Sequence, residues 1–273
     1  MHGPCSEESG TTVSPSDESI ARHCDEIERC NQRGERMLTL PDLLQAGTMD
    51  LPLAGYLMAA VGSGASFMVG CIPGGGGKTT VMGALLNVGP ADRELRAADS
   101  MATLEEGLRP DGPRRCYIGH EIGAGRYFAY LWGAEARAFF RLTRFGHTVA
   151  TNLHADTLDQ ARAQLCGENG VDGSDFERVN VKLFLHVGAG WGERKRRVTT
   201  VHESEPGNGH RLLFRWEPET DRFLREGPSH RVSEAQEARC REFLFELTQR
   251  RGPCTLEIVR RALLANAKRS RPG

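Results

Sequence analysis

The chain has 273 residues, 26% of them charged and 39% hydrophobic, which is the make-up of globular protein and enough for one large domain or two small ones. Lys and Arg number 35 against 36 Asp and Glu, a formal net charge of −1, so no global positive excess argues for wrapping nucleic acid. The longest apolar stretch, 51–69, is broken by Pro52, Gly55, Gly62 and Gly64 and falls short of the ~20 residues of a membrane helix.

Residues 1–35 are rich in Ser, Glu, Asp and Gly and read as a disordered leader, with a short polar helix around 20–30. Its first eight residues lack a basic start and an apolar core, so no secretory signal is expected and the reading is cytoplasmic. The 8 cysteines are scattered without a C-x-x-C pair and are expected to be reduced thiols. His23, Cys24 and Cys30 make half of a conceivable metal site, with no matching second half. Folded material starts at Met37. Thr39 caps a helix that Gly47 ends, and Asp50 caps another over 51–61. These fill a linker segment, 36–65, ahead of a core at 66–230 and a helical tail at 231–273.

The core opens on its most informative stretch. An apolar run of strand length, Ser66–Pro73, leads into Gly74-Gly75-Gly76-Gly77, and Lys78-Thr79-Thr80 open a segment with helical apolar spacing. A phosphate-binding loop needs that order. Residues without side chains let successive amides converge on an anion, Lys78 adds a mobile positive charge, and Thr79 offers a hydroxyl to Mg²⁺. The following helix aims its positive end at the same phosphates. ATP and Mg²⁺ are the ligands this predicts, although Ile72 stands where G-x-x-x-x-G-K-S/T has its first glycine.

After the break at Gly89-Pro90, 95–99 is a weak strand, followed by a polar stretch to Pro113. Arg115–Ile122 is the next strand and ends on Glu121, where doubly wound folds carry catalytic groups. An irregular link over 123–130 precedes a helix at 133–142; Thr148–Leu153 is a strand with His154 at its carboxyl end, and Asp156 or Thr157 caps a helix to Leu165. Val179–Val187 and Val198–Glu203 form one hairpin across a basic turn at 193–197, and 212–216 with 222–225 form a second. The tail is helical from 233 to 267 with a break at Gly252-Pro253. Alternating strands and helices predict an α/β fold with a mainly parallel sheet.

The segment Gly146-His147-Thr148-Val149-Ala150-Thr151-Asn152-Leu153-His154-Ala155-Asp156-Thr157 resembles the histidine box of the secretion ATPase superfamily, the hexameric motors of type II and type IV secretion, type IV pili and archaeal surface filaments. Gly133-Ala134-Glu135-Ala136 resembles the Gly-x-Glu-Ala that follows that family's atypical Walker B strand, and His120-Glu121-Ile122 resembles the strand's ending. The segments 197–203 and 213–223 resemble its late hairpins, so the likeness covers about 40–226 in order. It implies a RecA-like P-loop NTPase core with late β-hairpins and a helical C-terminal tail. It further implies that Gly74–Gly77, Lys78, Thr79 and Thr80 hold the nucleotide, that Glu121 serves the attacking water or the metal, and that His154 senses the γ-phosphate. Asp99 falls near the family's acidic box. The implied partners are further copies of the chain in a hexameric ring and inner-membrane platform or secretion-apparatus proteins, with the chain cytoplasmic or peripheral at the inner face of the membrane.

This sequence departs from that pattern at several points. Ala98 replaces the acidic box's glutamate, Ile72 the loop's first glycine and His120 a usual glycine; Trp132 holds a usual arginine position after an insertion. The family's N-terminal domain is reduced to the 36–65 segment. Two functions therefore stay open: an ATP-hydrolysing motor subunit, or a hydrolysis-deficient regulatory or scaffolding subunit that binds nucleotide. A small-molecule phosphotransferase would need a lid and an acceptor pocket that the sequence does not locate. Arg96, Arg126, Arg137, Arg141 and Arg144 all qualify for a role across a subunit boundary.

Overall fold

The structure, a computed structural model, describes residues 17–31, 34–188, 195–205, 207 and 209–269. Six strands run parallel: β1 (Phe67–Gly70), β2 (Glu94–Ala97), β3 (Arg115–Ile122), β4 (Tyr130–Leu131), β5 (Thr148–Leu153) and β6 (Val181–Val187). Three more, β7 (Arg196–Glu205), β8 (Gly209–Glu217) and β9 (Arg222–Arg225), continue the sheet antiparallel. The order across it is β2-β3-β5-β1-β6-β7-β8-β9, with β4 beside β3. β1 is thus interior, and all four of its residues are buried.

The two-residue period of the strands sorts their side chains into two cores. Phe67 and Val69, Cys116 and Ile118, Ala150, and Val181, Leu183 and Leu185 face one core. Met68, Tyr117, Val149 and Phe184 face the other. The first core is covered by α1 (Asp17–Glu28), α2 (Leu40–Gln45), α3 (Leu51–Gly62), α4 (Lys78–Leu86), α9 (Glu234–Thr248) and α10 (Leu256–Arg269). The second is covered by α5 (Met101–Gly107), α6 (Ala134–Arg141), α7 (Leu158–Arg162) and α8 (Gly173–Arg178). The result is the predicted α/β core with a mainly parallel sheet, late hairpins and a helical tail. Among the described residues no helix is long and apolar enough to cross a membrane.

Local chemistry explains the helix starts. Asp50 accepts from the Leu53 amide at 3.0 Å, as the sequence predicts, and the Asp42 carboxylate reaches back to the Thr39 amide at 2.8 Å. Helix α3 is buried from Leu53 to Val61. A Cβ on Gly55 would lie 2.4 Å from Arg241 Cγ, which shows how closely α3 and α9 approach.

The short helix expected around 20–30 is present, but it is packed against the core instead of lying in a disordered leader. Residues 1–16 lie outside the described residues, but Asp17–Glu28 forms α1, because Ile20, His23 and Ile27 recur at helical spacing and give it a buried face. Two short helices escape the sequence reading, α5 in the polar stretch after Asp99 and α8 before β6. Each starts at a side-chain cap, Ser100 and Asp172, in a segment with little apolar periodicity. Of the basic turn expected at 193–197, Glu193 and Arg194 lie outside the described residues, and Arg196 and Arg197 begin β7.

Candidate functional site

The glycine-rich loop leaves the carboxyl end of β1, and two close approaches fix its exit. A Cβ at Gly70 would lie 2.4 Å from the Ala155 carbonyl oxygen and 2.5 Å from Phe184 Cδ1, so only glycine lets the segment after β5 close on the end of β1. The Ile72 amide then donates to Asp156 Oδ1 at 2.7 Å. Asp156 is therefore tied to the loop, and the cap of α7 is Thr157, whose side chain accepts from the Gln160 amide. Within the loop the Gly76 amide donates to the Pro73 carbonyl at 3.2 Å, and a Cβ on Gly76 would collide with Cys71 Sγ at 2.3 Å.

Gly75 and Gly77 take positive φ, 79° and 92°, a backbone that side chains disfavour. Helix α4 starts at Gly77 with no side-chain cap. Its first-turn amides, those of Lys78, Thr79 and Thr80, have no partner within the helix and lie at its positive end. Space around Gly74 is open to 4 Å. Arg196, from the start of β7, reaches over the loop and donates through Nε and Nη2 to the Gly75 carbonyl, each at 3.3 Å.

The carboxylate arrives by way of a bulge. β3 pairs with β5 in steady register to Gly119↔Thr151 and resumes at Ile122↔Leu153, so β3 carries one extra residue where His120 and Glu121 sit. A bulge re-aims side chains, and here it turns Glu121 towards the loop. Glu121 is 5% exposed; its Oε2 lies 3.5 Å from Lys78 Nζ, and its Oε1 accepts no hydrogen bond. Burial raises the Glu121 carboxyl above its ordinary range, against the pull of Lys78 and His154.

Lys78 Nζ also donates to the Cys71 carbonyl at 3.0 Å. His154 Nε2 is 3.8 Å from Glu121 Oε1, while its Nδ1 lies 3.4 Å from Lys78 Nζ and 3.2 Å from the Ile72 carbonyl oxygen. Three of the sequence-selected residues, Lys78, Glu121 and His154, thus converge on one point at the mouth of the loop.

Asp99 does not join them. Its Oδ1 accepts from Thr103 Oγ1 at 3.0 Å at the start of α5, and its Oδ2 faces Arg29 at 3.8 Å. Sequence reasoning assigns no role to Asn152, which links the site internally. Its Nδ2 donates to the His120 carbonyl at 2.9 Å and lies 3.5 Å from Thr79 Oγ1. The signal is present in the chain: residue 152 stands on the predicted strand two positions before His154, the spacing of one face of an extended segment. His147, in the same sequence box, is structural. Its Nδ1 accepts from the Arg115 amide at 3.0 Å, which leaves Nε2 to donate to the Gly107 carbonyl at 2.9 Å.

These residues fit a nucleotide's phosphates. Unpaired helix amides, an ammonium and an open glycine turn face one direction, and a buried carboxylate oxygen without a donor lies beside them. A mobile ammonium held by a carboxylate and a carbonyl can exchange those partners for phosphate oxygens. The carboxylate would then be free to orient a water. Among the described residues no group of three or more His, Cys, Asp and Glu is arranged to hold a metal ion by itself.

No family model matches the sequence, and neither does any curated protein. Among solved structures the chain is similar to the Legionella pneumophila ATPase DotB, at 10% identity and a TM-score of 0.39, over 81% of this chain and 57% of that one. It is also similar to the VirB11 ATPase from the Brucella suis type IV secretion system in complex with sulphate, at 21% identity and a TM-score of 0.42, over 72% of this chain and 64% of that one, so it spans less than two thirds of the length of either.

Proposed function

We propose that the chain is an ATP-binding and ATP-hydrolysing motor subunit of a type II, type IV or pilus-type secretion apparatus, working in the cytoplasm as a ring of identical copies. The observation that carries this reading is the convergence of Lys78, Glu121 and His154 on the mouth of the glycine loop. The loop amides with Lys78 hold the β- and γ-phosphates, and Thr79 presents its hydroxyl to Mg²⁺, which supplies charge neutralisation when bound. Glu121 takes a proton from the attacking water, a role suited by a carboxyl whose proton affinity burial has raised. His154, between Glu121 and the loop carbonyl of Ile72, responds to loss of the γ-phosphate. The order of the sequence boxes supports the secretion assignment. A ring would convert loss of γ-phosphate contacts into movement between copies.

The second reading, a subunit that binds nucleotide without turning it over, is favoured by the position of Asp99. It pairs with Arg29 and holds the Thr103 hydroxyl at the start of α5, and Ala98 beside it brings no carboxylate. Steady-state phosphate release with Mg-ATP, beside Glu121→Gln, separates the two. Turnover that vanishes in the variant supports the motor; tight binding without turnover in either protein supports the scaffolding subunit.

A further inference from the structure

A cavity of about 480 Å³ lies away from the loop, between α1, residues 91–96 at the start of β2, and α10. Its volume falls within the range of small-molecule sites. Two polar side chains in its wall are buried and incompletely satisfied. His23 is 8% exposed, and its Nε2 makes no hydrogen bond. Arg260 is 4% exposed and donates only to the backbone carbonyls of Asn87, Gly89 and Pro90, with no carboxylate paired to it among the described residues. A buried guanidinium without a counter-ion is costly, and backbone carbonyls orient it without neutralising it. Burial accordingly lowers the Arg260 pKa to about 10 and that of His23 to about 3, which leaves the histidine neutral.

The charge around the cavity is unbalanced in the same sense. Arg22, Arg93 and Arg96 line it with Arg260. Of the acidic residues there, Glu26 is engaged by Arg29 and the Ala97 amide, and Glu94 by Arg115. Only Asp25 and Asp92 remain to set against four guanidiniums. Ile20, Leu95 and Leu264, each under a tenth exposed, add an apolar wall.

We propose that this cavity binds a small phosphate-bearing molecule of nucleoside-monophosphate size, at a site separate from the glycine loop. Guanidiniums carried by three different elements suit a tetrahedral anion with oxygens on every side better than a planar carboxylate, which a single fork satisfies. Arg260 meets that anion at the inner end, Arg22 and Arg96 close the rim, and the apolar wall receives the remainder of the ligand.

The test is calorimetric titration of the full chain carrying Lys78→Ala, which silences the loop, with AMP, adenosine and inorganic phosphate as probes. AMP should bind saturably and adenosine should not. The exposed-rim pair Arg22→Glu/Arg96→Glu should weaken AMP by roughly tenfold or more, as expected for lost charge-assisted hydrogen bonds. Leu264→Trp, which fills the cavity, should abolish binding in a protein whose circular dichroism is unchanged. Inorganic phosphate binding as tightly as AMP, with the same sensitivity to the rim pair, would support the anion site and assign it to the free ion. Absence of heat from AMP and phosphate alike, or AMP binding undiminished by both variants, would overturn the proposal whatever the loop does.

Discussion

Replacing Glu121 by Gln tests the proposed mechanism and the electrostatics beneath it together. At 3.5 Å, Lys78 and Glu121 attract by roughly 5 kcal/mol at an effective dielectric of about 20. Both side chains are more than nine-tenths buried, so each has lost hydration worth several kcal/mol. The raised carboxyl pKa says that dehydration outweighs attraction for Glu121. A carboxyl raised in the folded state supports folding fully below its unfolded value, near 4.5, and loses that support as pH climbs through the folded value. By that shift alone Glu121→Gln should tend to stabilise at pH 7, and the tendency should fade as pH falls towards 4.5. Turnover should drop by about 10² to 10⁴, the usual contribution of a general base, while ATP binding is kept or tightened as Lys78 is released to the phosphates. Urea unfolding at several pH values, with phosphate release and nucleotide titration, reads all three quantities. Turnover within tenfold of the parent removes Glu121 from the mechanism, and destabilisation by several kcal/mol at pH 7 refutes the dehydration argument.

Lys78→Ala should abolish ATP binding in equilibrium dialysis, and unchanged affinity would sink the nucleotide reading. Gly77→Ala places a side chain at φ 92° with its Cβ 2.9 Å from Arg196 Cδ, so it should cost about 1–3 kcal/mol in chemical unfolding and weaken ATP; a neutral result would mean the loop adopts another backbone. Lys182, fully buried on β6, has its pKa lowered to about 7 by burial. The unfolded chain then binds more protons than the fold between pH 7 and about 10.5, and stability rises with pH across that window. Lys182→Met should gain about 2–4 kcal/mol at pH 6 and progressively less towards pH 10, and a gain independent of pH would count against a charged lysine there. Sedimentation with Mg-ATP should give a large oligomer; a monomer at every concentration would remove the ring.

The sheet and the loop are legible in the sequence because their signals are local. Ser66–Pro73 is apolar at strand length, and Gly77-Lys78-Thr79 marks the turn from strand to helix. The alternation of Cys116, Tyr117 and Ile118 between the two cores is ordinary strand periodicity. Lys78, Glu121 and His154 can be named from sequence because each ends a strand or opens a helix. What sequence does not show is long-range. Asp156 has the look of a helix cap, yet it is held by Ile72, 84 residues away. Arg196 lies in a basic run with no hint that it reaches Gly75, 121 residues earlier. The bulge at His120 and Glu121 appears only once β3 is laid against β5. α1 reads only as a short polar helix within a leader because three of its twelve residues are buried, and the polar majority masks the one face that packs.

That helix also accounts for the sequence's departures near the acidic box. His120, where the family pattern has glycine, pairs through Nε2 with the Cys30 carbonyl at 2.9 Å and stacks on Tyr130 with ring centroids 5.6 Å apart. Glu26 accepts from the Ala97 amide at 2.6 Å, satisfying a donor on an edge strand that lacks a neighbour there. Arg29, one turn on, pairs with Asp99 and lies over the Phe128 ring at 4.7 Å. Carboxylate and guanidinium are thus carried to the end of β2 by α1 instead of by the residue at 98. Burial keeps the His120 ring neutral, so its bond to Cys30 holds α1 against the residue next to Glu121 without adding charge beside that carboxylate. His120→Gly should therefore loosen α1, seen as faster amide exchange over 17–30, and lower turnover through a misplaced Glu121 while ATP affinity, set by the loop and Lys78, holds. Faster exchange with unchanged turnover would separate α1 from the catalytic carboxylate.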